Sequence, residues 1–134
     1  MAEPDKSIHV EIMRSQLGRV RGLGAAKSGV AHWWAQRLTA IALVPLSLWF
    51  IVNVLHLLGA PHDAVIDWLA GPWTIVLMIA LVVATFRHLQ LGLQVVIEDY
   101  IHTDATRLAA MIAVKGAAIL LGMACVVSVL KLGL

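Results

Sequence analysis

A chain of 134 residues with 60% hydrophobic and 13% charged residues is not composed like a soluble domain, which carries roughly 25% charged residues. A mean hydropathy of +0.88 places it among integral membrane proteins, and the length allows one small domain. A formal net charge of +2 gives no reason to expect a nucleic-acid partner. The single cysteine, Cys125, cannot close an internal disulfide and reads as a small buried hydrophobe.

The first fifteen residues, "MAEPDKSIHVEIMRS", are polar and of mixed charge. They lack the apolar core of a secretory signal peptide, so insertion is expected to rely on the spans. "GLGAAKSG" at 22–29 lacks the GxxxxGK[ST] spacing of a phosphate loop and reads as a lead-in. Residues 1–32 form a cytoplasmic segment, and 33–134 a membrane domain.

Between Arg37 and Asp63 there is no Asp, Glu, Lys or Arg. That gap predicts a first transmembrane helix over 33–58, since about 20 apolar residues cross a bilayer. Pro45 inside it removes one backbone hydrogen bond and is expected to bend the helix. "GAP" at 59–61 ends it. The second span, 72–97, opens on Pro72, which suits a first helical turn. Its apolar run is interrupted by Arg87, His88, Gln90 and Gln94. The third span covers 106–130, with Lys115 in its first third, able to snorkel toward the near surface.

Six basic residues, Lys6, Arg14, Arg19, Arg21, Lys27 and Arg37, precede or open the first span, whereas 59–71 has no Lys or Arg. The positive-inside rule then predicts a cytoplasmic N-terminus and a periplasmic C-terminus. Trp33, Trp34, Trp68 and Trp73 flank span ends and suit interfacial belts. The fold class is therefore all-α, with three transmembrane helices.

Arg87 and His88 lie inside the oily second span. A central arginine costs about 2.5–3.5 kcal/mol on insertion scales, and an intramembrane ionisable residue is a functional candidate by default. His88 has two readings: a neutral imidazole bonded to a neighbouring helix, or a metal ligand. Ala84 and Gly92, four residues to either side, make its helix face small enough for a flat macrocycle, though small residues also serve helix contact. Haem iron takes a side-chain ligand on each face, so a second ligand must come from elsewhere. His56 lies near the other end of the first span, at a different depth, and reads as an interfacial histidine. His9, His32, His62 and His102 show no metal-ligand spacing.

Glu98 and Asp99 close the second span, where the helix dipole favours cations. They are either solvated loop charges, with Asp104 capping the third helix, or functional. Asp99 lies eleven residues after His88, on nearly the same helix face, and the Tyr100 phenol beside it can donate and accept.

Together these residues resemble the D-type membrane anchors of succinate dehydrogenase, the succinate:quinone oxidoreductase of respiratory complex II. The resemblance covers most of the chain. It rests on "QRLTAIALVPL" at the first span, on the three-span plan, and on His88, Gly92 and Asp99-Tyr100 in the second. It implies that His88 is an axial ligand of haem b, shared with a C-type anchor subunit. Tyr100 and Asp99 would lie at the ubiquinone site and Arg37 near the haem propionates. Arg87 has no equally clear counterpart; its candidate partners are a propionate, a lipid phosphate or an acid on a partner chain. The implied partners are the C-type anchor, an iron–sulfur subunit, a flavoprotein subunit and membrane lipid. The implied location is the inner (cytoplasmic) membrane, or the mitochondrial inner membrane in a eukaryote. No complete catalytic apparatus is present, since succinate oxidation needs a flavin fold. Competing readings are a fumarate reductase anchor, a structural anchor or assembly subunit without haem, and a small channel or transporter subunit. The channel reading is weakened by polarity in only one span.

Overall fold

A computed structural model describes residues 16–17 and 29–133 of the chain. The described order is α1 (Gly29–His56), α2 (His62–Leu69), α3 (Pro72–Tyr100) and α4 (Asp104–Gly133). From Ala31 onward the chain forms one unit. The helices α1, α3 and α4 have 28, 29 and 30 residues and are apolar enough to cross a membrane. At about 1.5 Å per residue each exceeds the roughly 30 Å hydrocarbon core. Each is longer than its hydropathy span because amphipathic turns continue the helix past the apolar stretch, as with Glu98, Asp99 and Tyr100 at the end of α3. The lead-in Gly29 likewise belongs to α1.

These elements follow from local rules. Three long apolar segments satisfy their backbone groups internally, the condition for crossing lipid. α1 runs unbroken through Pro45. It ends at His56, and the turn after it closes at Gly59, whose φ of +78° is a backbone conformation that L side chains rarely adopt. Pro72 occupies the first turn of α3, where its missing N–H costs nothing.

The stretch 59–71, read from sequence as a loop, contains the eight-residue helix α2. Pro61 precedes its first turn and Asp63 sits favourably against its N-terminal dipole. Its half-buried side pins it to α1: Trp68 stacks on Trp49 with ring centroids 6.0 Å apart. The Trp68 indole N–H also donates to Asn53 Oδ1 at 3.1 Å, while Asn53 Nδ2 donates to the Trp49 carbonyl at 2.8 Å. Asp104 does not cap α4. It is the first helical residue, and its carboxylate instead accepts from Arg107 Nη2 at 2.6 Å.

α3 and α4 pack lengthwise. Leu91, Ile97, Ala118, Val129 and Thr74 are the buried residues there. Gly122 faces Phe86 across the seam: a Cβ at that position would lie 3.4–3.6 Å from the Phe86 side chain, ordinary contact distance. Most other large apolar side chains, among them Ile41, Val83 and Leu120, face outward. In water that surface would be costly. In a membrane it meets lipid or other apolar helices.

Candidate functional site

The second-span histidine lies where α1 and α3 meet. His88 Nδ1 is 3.0 Å from Thr39 Oγ1. Thr39 is ten residues into α1 and His88 twelve residues before the end of α3, so the two helices run antiparallel and meet at one level. The His88 ring is only half-buried. An added Cβ at Gly92 would meet nothing of this chain closer than Gln36 Nε2, at 3.7 Å. Gln36 of α1 thus borders the Gly92 side of the imidazole at ordinary van der Waals distance.

His56 is the last residue of α1 and exposed. It lies seventeen residues beyond Thr39, or about 25 Å along the helix, so the two histidines stand at different depths. Among the described residues, no group of three His, Cys, Asp or Glu side chains could hold a metal ion. A single histidine ligand to a metallated ring is a different donor set and is compatible with that finding.

Polar groups of three helices converge beside His88. A cavity of about 250 Å³ is lined by His32 and Ala35 from α1, Arg87, Gln90 and Gln94 from α3, and Lys115 from α4. Polarity is therefore not confined to one span, and the sequence reading is corrected there. Two buried atoms on α1, His32 Nε2 at this cavity and Gln36 Oε1, have no hydrogen-bond partner among the described residues. Arg87 Nη1 donates to Gln90 Oε1 at 3.3 Å, and Gln94 Nε2 donates to Glu98 Oε1 at 2.8 Å. These i,i+3 and i,i+4 bonds run along one stripe of α3 toward its polar end. Neither Arg87 nor Lys115 forms an ion pair among the described residues.

Arg37 is exposed, its guanidinium 4.7 Å from the Trp33 ring centroid. Two residues before Thr39, it leaves α1 on nearly the opposite side, about 200° around the helix. Asp99 and Tyr100 are exposed at the end of α3, and Tyr100 keeps 79% of its surface. Twelve residues, or about 18 Å of helix, separate Tyr100 from His88. The chain thus holds two distinct places, one at the His88 level and one at the end of α3. Thr39, His32, Gln36 and Lys115 are additions from the structure. The sequence signal for Thr39 was a lone hydroxyl in an apolar run, which by itself names no partner.

The family model of the succinate dehydrogenase/fumarate reductase transmembrane subunits matches residues 11–128. The chain belongs to that family. The match takes in α1, α2, α3 and most of α4. Among its relatives is a succinate dehydrogenase hydrophobic membrane anchor subunit of Rickettsia bellii (strain RML369-C). It is 38% identical over 120 residues, covering 90% of this chain and 96% of the relative. The succinate dehydrogenase membrane anchor subunit of Reclinomonas americana is 32% identical over 97 residues, covering 69% of this chain and 80% of the relative. The hydrophobic membrane anchor subunit of Paracoccus denitrificans is 30% identical over 91 residues, covering 68% and 70%. No solved structure matches the chain significantly. As a membrane anchor subunit of succinate dehydrogenase, the protein is embedded through three apolar helices and associates with the other subunits of that complex.

Proposed function

We propose that this anchor carries one axial histidine of a haem b and part of the site at which ubiquinone is reduced. Electrons from succinate would thereby be passed to the quinone pool. The observation that carries the reading is His88: an imidazole deep in a span, with one nitrogen engaged by Thr39 and the rest of the ring half-open. A metal-ligating histidine characteristically engages its second nitrogen with a hydrogen-bond partner. The small residues Ala84 and Gly92 keep that face of α3 low beside the imidazole, and an added Cβ at Gly92 would touch only Gln36 Nε2, at 3.7 Å. The residues present fit the group.

His88 would hold the iron, and a C-type anchor subunit would supply the second ligand. Bound there, haem would supply a one-electron store deeper in the membrane than the quinone, about 18 Å of helix from Tyr100. Arg37 lies about 3 Å of helix rise from Thr39, near the His88 level but on the opposite side of α1, and would meet a haem propionate only by reaching around that helix. Its stacking on Trp33 limits the conformations it must lose on pairing. The end of α3 provides the second place. Quinone reduction takes two electrons and two protons, so a hydrogen-bond donor at the carbonyl is needed. Tyr100 would donate a hydrogen bond from its phenol to a quinone carbonyl oxygen and stabilise the reduced oxygen. Asp99 supports that phenol or its proton supply. Both lie at a polar helix end with direct access to water, where protons are available and a soluble iron–sulfur subunit docks.

The positive-inside asymmetry puts that end, and the N-terminus, in the cytoplasm, with the C-terminus on the periplasmic side of the inner membrane. In a eukaryote the equivalent is the mitochondrial inner membrane. The partners in this reading are the flavoprotein, the iron–sulfur subunit, the C-type anchor and membrane lipid. The experiment that tests it is a reduced-minus-oxidised visible spectrum of the purified complex. A low-spin haem b signal is expected, and a complex without haem overturns the ligation. A second reading, a haem-free structural anchor in which His88 only bridges α1 and α3, draws on the same Thr39 contact. The spectrum separates the two.

A further inference from the structure

We infer that Thr39 is a positioning residue for His88. It accepts the Nδ1–H and so selects the imidazole tautomer whose Nε2 lone pair faces the iron. The inference rests on the haem reading and extends it to a residue of another helix.

The argument is a count of protons. Thr39 Oγ1 lies 2.8 Å from the Ala35 carbonyl, 3.0 Å from the Gln36 carbonyl and 3.0 Å from His88 Nδ1. The hydroxyl owns one proton, and carbonyl oxygens only accept. Hydroxyls within helices commonly back-bond to carbonyls three or four residues earlier, and the 2.8 Å contact with Ala35 is the shortest of the three. With the proton committed there, Oγ1 presents lone pairs to His88. The 3.0 Å contact is then attractive only if Nδ1 carries the hydrogen. A neutral imidazole has one N–H, so Nε2 is left bare.

The opposite assignment, with the hydroxyl donating to Nδ1, moves the histidine proton to Nε2. No acceptor for that proton meets His88 among the described residues, and in an apolar span an unmet donor is costly. Threonine also suits the task mechanically. Its β-branch limits χ1, so the oxygen is held in place, and it anchors the imidazole plane to α1 as well as to α3. A hydrogen bond from Nδ1–H makes Nε2 more basic, which favours ferric over ferrous iron.

The test compares Thr39→Val, which keeps the shape and removes the hydroxyl, with Thr39→Ser, which keeps the hydroxyl. Haem midpoint potential and low-spin electron paramagnetic resonance g-values are read on the whole purified complex. Loss of an outer partner weakens a metal site about 10–100-fold. Each tenfold loss confined to the ferric state raises the potential by about 59 mV. Thr39→Val is expected to raise the potential by at least that step and shift the g-values, while Thr39→Ser stays at the parent values. If Thr39→Val does not assemble, Thr39→Ala read in isolated membranes carries the same expectation. Unchanged potential and g-values in Thr39→Val, with haem intact, overturn the role of Thr39 and leave His88 ligation standing. An equal shift in Thr39→Ser also overturns it, because packing rather than the hydroxyl would then be responsible. A parent complex lacking low-spin haem overturns the ligation reading itself.

Discussion

Thr39 Oγ1 and His88 Nδ1 meet at 3.0 Å across 49 positions of sequence. That contact fixes which side of α3 faces α1, and with it the placement of Gly92 against Gln36. It also levels α1 and α3, so the exposed His56 lies far along α1 from the His88 site. The predictions that follow depend on this separation of levels.

His88→Ala is expected to remove one axial ligand and abolish the low-spin bis-histidine spectrum. His56→Ala is expected to leave that spectrum intact. Visible and electron paramagnetic resonance spectra of the two purified complexes check the pair. Haem retained in a high-spin state in His88→Ala agrees with the assignment, since the partner's ligand remains. An unchanged low-spin spectrum refutes it.

Tyr100→Phe keeps the ring and removes the donor from an exposed position, so assembly and haem are expected to survive. Quinone reduction is expected to fall by about a hundredfold, the scale of a lost proton donor. Succinate oxidation with an artificial acceptor that bypasses the quinone should continue. Asp99→Asn is expected to give a milder loss with a steeper pH dependence. Normal quinone turnover in Tyr100→Phe would move the site to the partner chains.

The basic asymmetry predicts that α2 and the α3–α4 turn lie on opposite sides of the membrane. Asp63 and Asp104 keep 99% and 90% of their side-chain surface, so cysteines there are accessible to a membrane-impermeant thiol reagent. In a Cys125→Ala background, Asp63→Cys should label from the periplasmic side and Asp104→Cys from the cytoplasmic side of sealed membranes. The reverse pattern would invert the orientation and displace the proposed quinone site.

Gly122 packs under Phe86, and a Cβ there would sit at ordinary contact distance, 3.4–3.6 Å. Gly122→Ala is therefore expected to be tolerated. Gly122→Leu drives its outer carbons into the ring at a cost of about 1–3 kcal/mol, the usual range for overpacking. Thermal denaturation of the complex should show a lowered midpoint for Leu alone. Equal midpoints for the two variants would mean that α3 and α4 do not pack closely at this position.

Hydropathy alone placed α1, α3 and α4, because in lipid each segment must satisfy its own backbone groups, and that requirement is local. The singularity of Arg87 and His88 was equally visible, since an ionisable residue inside an apolar run is costly wherever its helix packs. The helix α2 escaped because its eight residues carry two aspartates and a histidine. What holds it is Trp68 against Trp49 and Asn53, a contact that only the returning chain creates. Thr39 escaped for the same reason. A hydroxyl in a span satisfies itself on its own helix, and only the rotation of α1 against α3 brings His88 to its second side. The meeting of His32, Arg87 and Lys115 around one cavity likewise depends on three helices packing at fixed rotations. Helix formation is decided within a segment, whereas which side chains face one another is decided by the packing between segments.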